Sequence, residues 1–193
     1  MFKKLYASMI ALAASRHAPW ALALVSFAES SFFPIPPDVM LIPMAVAQPR
    51  RAWFFAFVCT LASVVGGVVG YYIGAALYDT VGLWLINFYG GASKVETLRE
   101  AYQKWGAALI LIKGVTPIPF KFVTIVSGFL GYNFPLFVLL SIVTRGARFF
   151  IVAGVLHRFG EPIKAWLEQH FGLFLALLAI ALVGGIVVAT RLI

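Results

Sequence analysis

Charge is scarce in this chain of 193 residues. Only 11% of them are Asp, Glu, Lys or Arg and the mean hydropathy is +0.97, where a soluble domain carries roughly 25% charged residues. A water-exposed globular surface is therefore excluded. Cysteine is nearly absent too: Cys59 is single and lies inside an apolar run, so no internal disulfide and no Cys-based metal centre can form, and it reads as a small apolar filler. His17, His157 and His170 lie near the ends of apolar runs without metal-ligand spacing, so no metal is expected. A Gly-x-Ser-Gly nucleophile is missing, since Ser127-Gly128 is preceded by Ile125, and no phosphate loop, paired-aspartate or nucleophile-elbow pattern occurs. Neither an enzyme nor a cofactor is expected. Alternation at period 2 is lacking, which sets aside a transmembrane barrel. Acidic residues number 7 against 15 basic ones, giving a net charge of +8. The basic residues stand singly or at the ends of apolar runs, so anionic lipid headgroups rather than nucleic acid are the expected partner.

What the chain has is long uncharged runs. Residues 52–78, 122–144 and 171–190 carry no charge over 27, 23 and 20 residues, and about 20 apolar residues suffice to cross a bilayer. The fold class expected is an all-α polytopic membrane protein. Residues 1–16, with Lys3, Lys4 and Arg16, read as an interfacial helix rather than a cleaved signal. His17-Ala18-Pro19-Trp20 reads as a helix start. Residues 93–104, with Ser93 and Glu96 spaced as a capping box, read as an amphipathic surface helix, and 105–112 as a separate segment that re-enters the membrane.

Two Pro-Ile-Pro turns interrupt the apolar sequence. Pro34, Pro36 and Pro37 precede Asp38; Pro117 and Pro119 precede Lys121; the two motifs superpose at an offset of 83 residues. Proline removes a backbone donor and ends a helix, and a broken backbone at membrane depth must be buried in protein or line a polar cavity. The apolar segments beside each break are too short to span alone. Each turn is thus expected at the tip of a re-entrant hairpin, and the odd number of spans between the hairpins makes them open to opposite faces, an inverted repeat. About three full transmembrane helices complete the plan, within a single membrane domain. Lys3, Lys4, Arg16, Arg50 and Arg51 place the first hairpin's ends on the cytoplasmic side.

Six ionisable groups accompany the breaks: Glu29 and Asp38, Lys113 and Lys121, and Arg145 with Arg148 on the following span, one helix face apart by three residues. At a bilayer centre each costs roughly 2.5–3.5 kcal/mol, so they should face inward and pair. Two readings stay open: static ion pairs that lock the hairpins, or a polar cavity that takes an anionic headgroup or relays protons. Gly66, Gly70 and Gly74 recur every four residues and make one smooth face for helix packing. Tyr71 and Tyr72 could hydrogen-bond near the polar site.

The run from Phe27-Ala28-Glu29-Ser30-Ser31 through Pro34-Ile35-Pro36-Pro37-Asp38, the glycine ladder with Tyr71, the second Pro-x-Pro and the arginine-bearing span resemble the DedA family. That family shares the VTT (SNARE-associated) domain, and the chain is most similar to its YqaA-type branch. The similarity covers roughly residues 18–158, with repeats at about 18–78 and 105–156 and a further transmembrane helix at 171–190. It implies a bacterial inner-membrane protein with two facing re-entrant hairpins. It also implies a role in flipping or scrambling phospholipid or polyprenyl-phosphate, with proton coupling in some members. Glu29 and Asp38 match the family's acidic pair; Arg145 and Arg148 most nearly match its basic pair. The second hairpin departs from the pattern, with Pro117-Ile118-Pro119-Phe120-Lys121 where better-known members have an arginine followed by Phe-x-Pro-Gly, which leaves the substrate open. The alternatives are an accessory membrane protein that braces a partner complex and a small-solute or ion transporter. A homo-oligomer also stays open.

Overall fold

The computed structural model describes residues 15–33, 36–78, 92–115 and 120–191. Among them every regular element is helical. They are α1 (Ala18–Ser31), α2 (Asp38–Ala47), a 3-10 turn (Pro49–Arg51), α3 (Ala52–Leu77), α4 (Ala92–Val115), α5 (Phe120–Phe129) and α6 (Phe134–Arg191). Among the described residues, two stretches are long and apolar enough to cross a membrane: Pro49–Leu77, with mean hydropathy 2.1, and Phe134–Gly160, with 1.9.

These two stretches form an antiparallel pair. Gly146 lies against Thr60, Gly154 against Trp53 and Gly160 against Pro49, while His157 Nδ1 is 2.9 Å from the Pro49 carbonyl. The short helices flank this pair. α1 runs beside α3 in the same direction: Ala18 and Leu22 share a buried cluster with Ala52, Phe55 and Cys59, and Ser31 Oγ donates to the Gly66 carbonyl at 2.9 Å. α2 returns, since Met44, Ala45 and Val46 at its end rejoin that same cluster. α5 runs along the other half of α3, with Phe120 beside Gly67 and Ile125 beside Gly74. α4 is antiparallel to α5: Tyr102 Oη and Ser127 Oγ are 2.9 Å apart and Arg99 Nε donates to the Leu130 carbonyl. The first hairpin thus has its mouth at the Ala52 end of α3, and the second at the Tyr78 end. The end of α1 and the start of α5 meet beside the middle of α3, where Phe120 N–H donates to Glu29 and Thr124 to the Ser30 carbonyl.

The glycines of α3 allow that meeting. A Cβ on Gly66 would overlap the Phe27 carbonyl, one on Gly70 the Thr124 hydroxyl, and one on Gly74 the Ile125 carbonyl. Gly128 of α5 reciprocates, seated on the Tyr71 carbonyl. Helix backbones approach this closely only where side chains are absent.

Two boundaries differ from those expected. α4 is one helix from Ala92 to Val115, where a surface helix and a separate entering segment were anticipated. No breaker lies between Lys104 and Trp105, and Gly106 is seated against the Tyr132 ring. α6 likewise continues through Pro162 for 58 residues, although the polar step at 157–170 suggested a division before a last span. Proline forfeits one hydrogen bond and crowds the carbonyl four residues back, yet helical residues on both sides carry the axis onward. At 1.5 Å per residue the helix is about 87 Å long, roughly three times the hydrocarbon thickness of a bilayer. The interfacial helix expected at 1–16 lies, but for its last two residues, outside the described residues, as do Pro34, Pro117 and Pro119. The Ser93 side chain of the expected capping box lies outside them as well, while Glu96 is exposed and pairs with Arg99 at 3.7 Å.

Candidate functional site

Ion pairs occupy the place where the end of α1 and the start of α2 face α6. Arg145 and Arg148 are one turn apart on α6 and face the first hairpin. Arg145 Nη2 donates to Glu29 Oε2 at 2.6 Å, and Arg148 Nη2 to Asp38 Oδ2 at 2.5 Å. Asp38 is the first residue of α2, where a negative charge is favoured by the helix dipole. The four charges expected from sequence thus form two adjacent pairs, each joining α6 to one leg of the first hairpin.

The two pairs differ in exposure. Glu29 and Arg145 are sealed, at 4% and 1% exposure. The Arg148 and Asp38 side chains keep 19% and 9%. Removing a charge from a sealed pair strands its partner and costs about 3–5 kcal/mol, whereas a partly open pair can exchange partners with water or a ligand.

Extra bonds surround the sealed pair. Arg145 Nε donates to Ser63 Oγ at 2.6 Å. Ser30 Oγ donates to Glu29 Oε2 at 3.2 Å, and Ser30 and Ser63 hydroxyls are 2.6 Å apart. Because a carboxylate only accepts, the hydroxyl protons run Ser63 to Ser30 to Glu29 and close a ring with the guanidinium. The guanidinium lies between two aromatic faces, 4.9 Å from the Phe120 centroid and 4.8 Å from that of Phe149, which favours a cation. Arg145 Nη1 is buried without a hydrogen-bond partner among the described residues.

The second hairpin joins through its backbone. Glu29 Oε1 accepts the Phe120 N–H at 2.9 Å, so a carboxylate from α1 satisfies an orphan donor at the start of α5 and complements its dipole. Thr124 Oγ1 donates to the Ser30 carbonyl at 3.0 Å, and Lys121 Nζ to the Phe32 carbonyl at 3.3 Å. Lys121 is therefore directed to the C-terminal end of α1, and among the described residues it forms no ion pair with Glu29 or Asp38. Lys113 lies on α4, its side chain outside those described. Tyr71 is not at the polar site: its hydroxyl donates to the Tyr132 carbonyl at the second hairpin's base. Among the described residues no three His, Cys, Asp or Glu side chains converge on a possible metal position.

Sequence reasoning missed Ser63, Thr124, Phe120 and Phe149. Ser63 had a signal, a polar side chain in an apolar span one turn before the first ladder glycine. The Phe120 N–H had none, since a backbone donor is the same in every non-proline residue.

No known family model matches the chain, and no solved structure matches it. Among curated proteins it is 37% identical over 172 residues to an uncharacterized protein of Haemophilus influenzae, covering 88% of each chain. It is 36% identical over 169 residues to an uncharacterized protein of Histophilus somni, again covering 88% of each. At that identity over nearly the full length, the chain belongs to the same family as these two proteins.

Proposed function

We propose that this protein is a DedA-type lipid translocase of the bacterial inner membrane, with two re-entrant hairpins of inverted topology set against membrane-crossing helices. The observation that carries the reading is the pair of ion pairs at the meeting of two helix breaks. Charges at that depth are costly, and the site spends them beside a discontinuous backbone. The division of labour follows from burial. Glu29–Arg145 holds α1, α5 and α6 together and stays closed. Asp38–Arg148 is the pair that opens, with Arg148 taking a lipid phosphate on its planar fork and Asp38 released to bind a proton.

A second reading, an accessory protein that braces a partner, is favoured by the sealing of Glu29–Arg145, because a purely structural lock needs no access. Headgroup exposure measured in proteoliposomes of purified protein, compared across lipid classes, separates the two. Movement of phosphatidylglycerol or a polyprenyl-phosphate above protein-free vesicles, lost in Asp38→Asn, supports translocation. Equal rates with and without protein remove it and leave the bracing reading.

A further inference from the structure

Away from the ion pairs, a groove of about 750 Å³ runs between α1 and α3 on the outer side of the helix pair. Its floor and walls are apolar, formed by Leu24, Phe27, Phe54, Phe57, Leu61 and Val65. Its polar groups gather at one end, where Arg16 and Arg51 stand at the N-terminal ends of the two parallel helices. Arg51 is supported there by cation–π contact with Phe54, 5.2 Å to the centroid, and donates to Gln48 Oε1. From Arg51 to Val65 the groove is about 21 Å long at 1.5 Å per residue. It ends where the Phe27 carbonyl sits on Gly66.

Depth in the membrane can be read from the same end. Trp20 is 78% exposed and Trp53 45%, and they stand beside Arg16, Arg50 and Arg51. Exposed tryptophan with arginine marks the headgroup level of a membrane-crossing helix. The groove therefore starts at that level and descends to the middle of α3, with cations at its top and hydrocarbon-like walls below. Two cations over an apolar trough complement an amphipathic anion and fit no soluble partner.

We propose that this groove holds one anionic phospholipid, its phosphate between Arg16 and Arg51 and an acyl chain laid along Leu24, Phe57 and Leu61. The site rests on the chain's residing in a membrane and on nothing about translocation: a bracing protein would hold the same lipid. Its lining includes none of the four ion-paired residues, which makes it a resident lipid that covers the α1–α3 seam, distinct from the substrate proposed at Arg148.

The test is native mass spectrometry of the full chain released from nanodiscs of equal phosphatidylglycerol and phosphatidylethanolamine. Wild-type protein should retain one phosphatidylglycerol through detergent exchange. Arg16→Gln with Arg51→Gln should lower that retention roughly 25-fold, since each surface cation contributes about a factor of five for anionic lipid. Ala62→Trp, which fills the trough without touching the cations, should displace both lipid classes. Leu139→Trp, on the exposed face of α6, should change neither. Thermal unfolding of each variant checks that it is folded. Absence of retained lipid in folded wild-type protein, or retention indifferent to Ala62→Trp or to loss of the arginines, would overturn the proposal. So would a photo-crosslinker at Leu61 that captures another segment of this chain instead of lipid. Translocation measured on the same samples is scored separately, so loss of the groove lipid and loss of transport are told apart.

Discussion

Glu29 Oε1 accepts the backbone N–H of Phe120 at 2.9 Å, so a side chain near the end of α1 caps the start of α5, the returning leg of the second hairpin. The same carboxylate is paired through Oε2 with Arg145. One group therefore holds three elements at the point where the chain is most broken, and its loss should be felt in all of them.

Glu29→Gln keeps an acceptor for Phe120 but strands a buried guanidinium. Its stability should fall by about 3–5 kcal/mol, read as a lowered thermal unfolding midpoint in detergent. A wild-type midpoint would show that the pair contributes nothing to the fold.

Exchanging the charges should fail at the sealed pair and succeed at the open one. In Glu29→Arg with Arg145→Glu, a guanidinium would face the Phe120 N–H, donor against donor, and a carboxylate would lie between the Phe120 and Phe149 rings. In Asp38→Arg with Arg148→Asp, no backbone N–H among the described residues bonds the Asp38 carboxylate as Phe120 does Glu29, and the pair is partly exposed. The check is expression and thermal stability of both swaps against their single variants; rescue of the Glu29 swap would contradict this geometry.

Asp38→Asn and Arg148→Lys should cost only about 1–2 kcal/mol, between an exposed and a buried pair, while abolishing or strongly reducing anionic-lipid movement. Stability and translocation measured side by side decide the matter. Full translocation in both variants would remove Asp38–Arg148 from the transport step.

The ladder glycines should be intolerant of a single methyl group. Gly66→Ala and Gly74→Ala drive a Cβ into the carbonyls of Phe27 and Ile125, with a cost of about 1–3 kcal/mol or more. Gly184→Ala meets nothing within 4 Å and should be neutral or stabilising by less than about 1 kcal/mol. Thermal midpoints of the three variants provide the comparison, and equal midpoints would mean that the seam yields.

Opposed hairpin mouths should be visible by labelling. In a Cys59→Ala background, cysteines at exposed His17 and at Gln48 should react from one side of the membrane, and one at exposed Gln103 from the other. Ala18 is a poorer probe because it is buried. Labelling of all three from a single side would dismiss the opposed arrangement.

Helices and their interruptions were legible in the residues alone. Uncharged runs must bury their backbone polar groups internally, so they become helices, and proline ends a helix for local reasons that need no knowledge of the fold. The glycine ladder was legible as a smooth face for the same local reason. Local signals misled at α4 and α6, where polar sequence was taken as a boundary: polarity changes what surrounds a helix, but without a breaker of sufficient strength the hydrogen-bond ladder continues, even through Pro162. Which acid meets which arginine was beyond the sequence. Glu29 and Arg145 are 116 residues apart, and Asp38 and Arg148 are 110 apart; either acid could have met either base. The choice was made by Gly66 and Gly70, which let α1 and α5 descend onto α3 until Ser63, Ser30 and the Phe120 N–H lay within bonding distance of Glu29. Hydrogen bonds act only over about 3 Å, so a partner is decided by the packing that brings it near, and that packing exists only once the chain has folded.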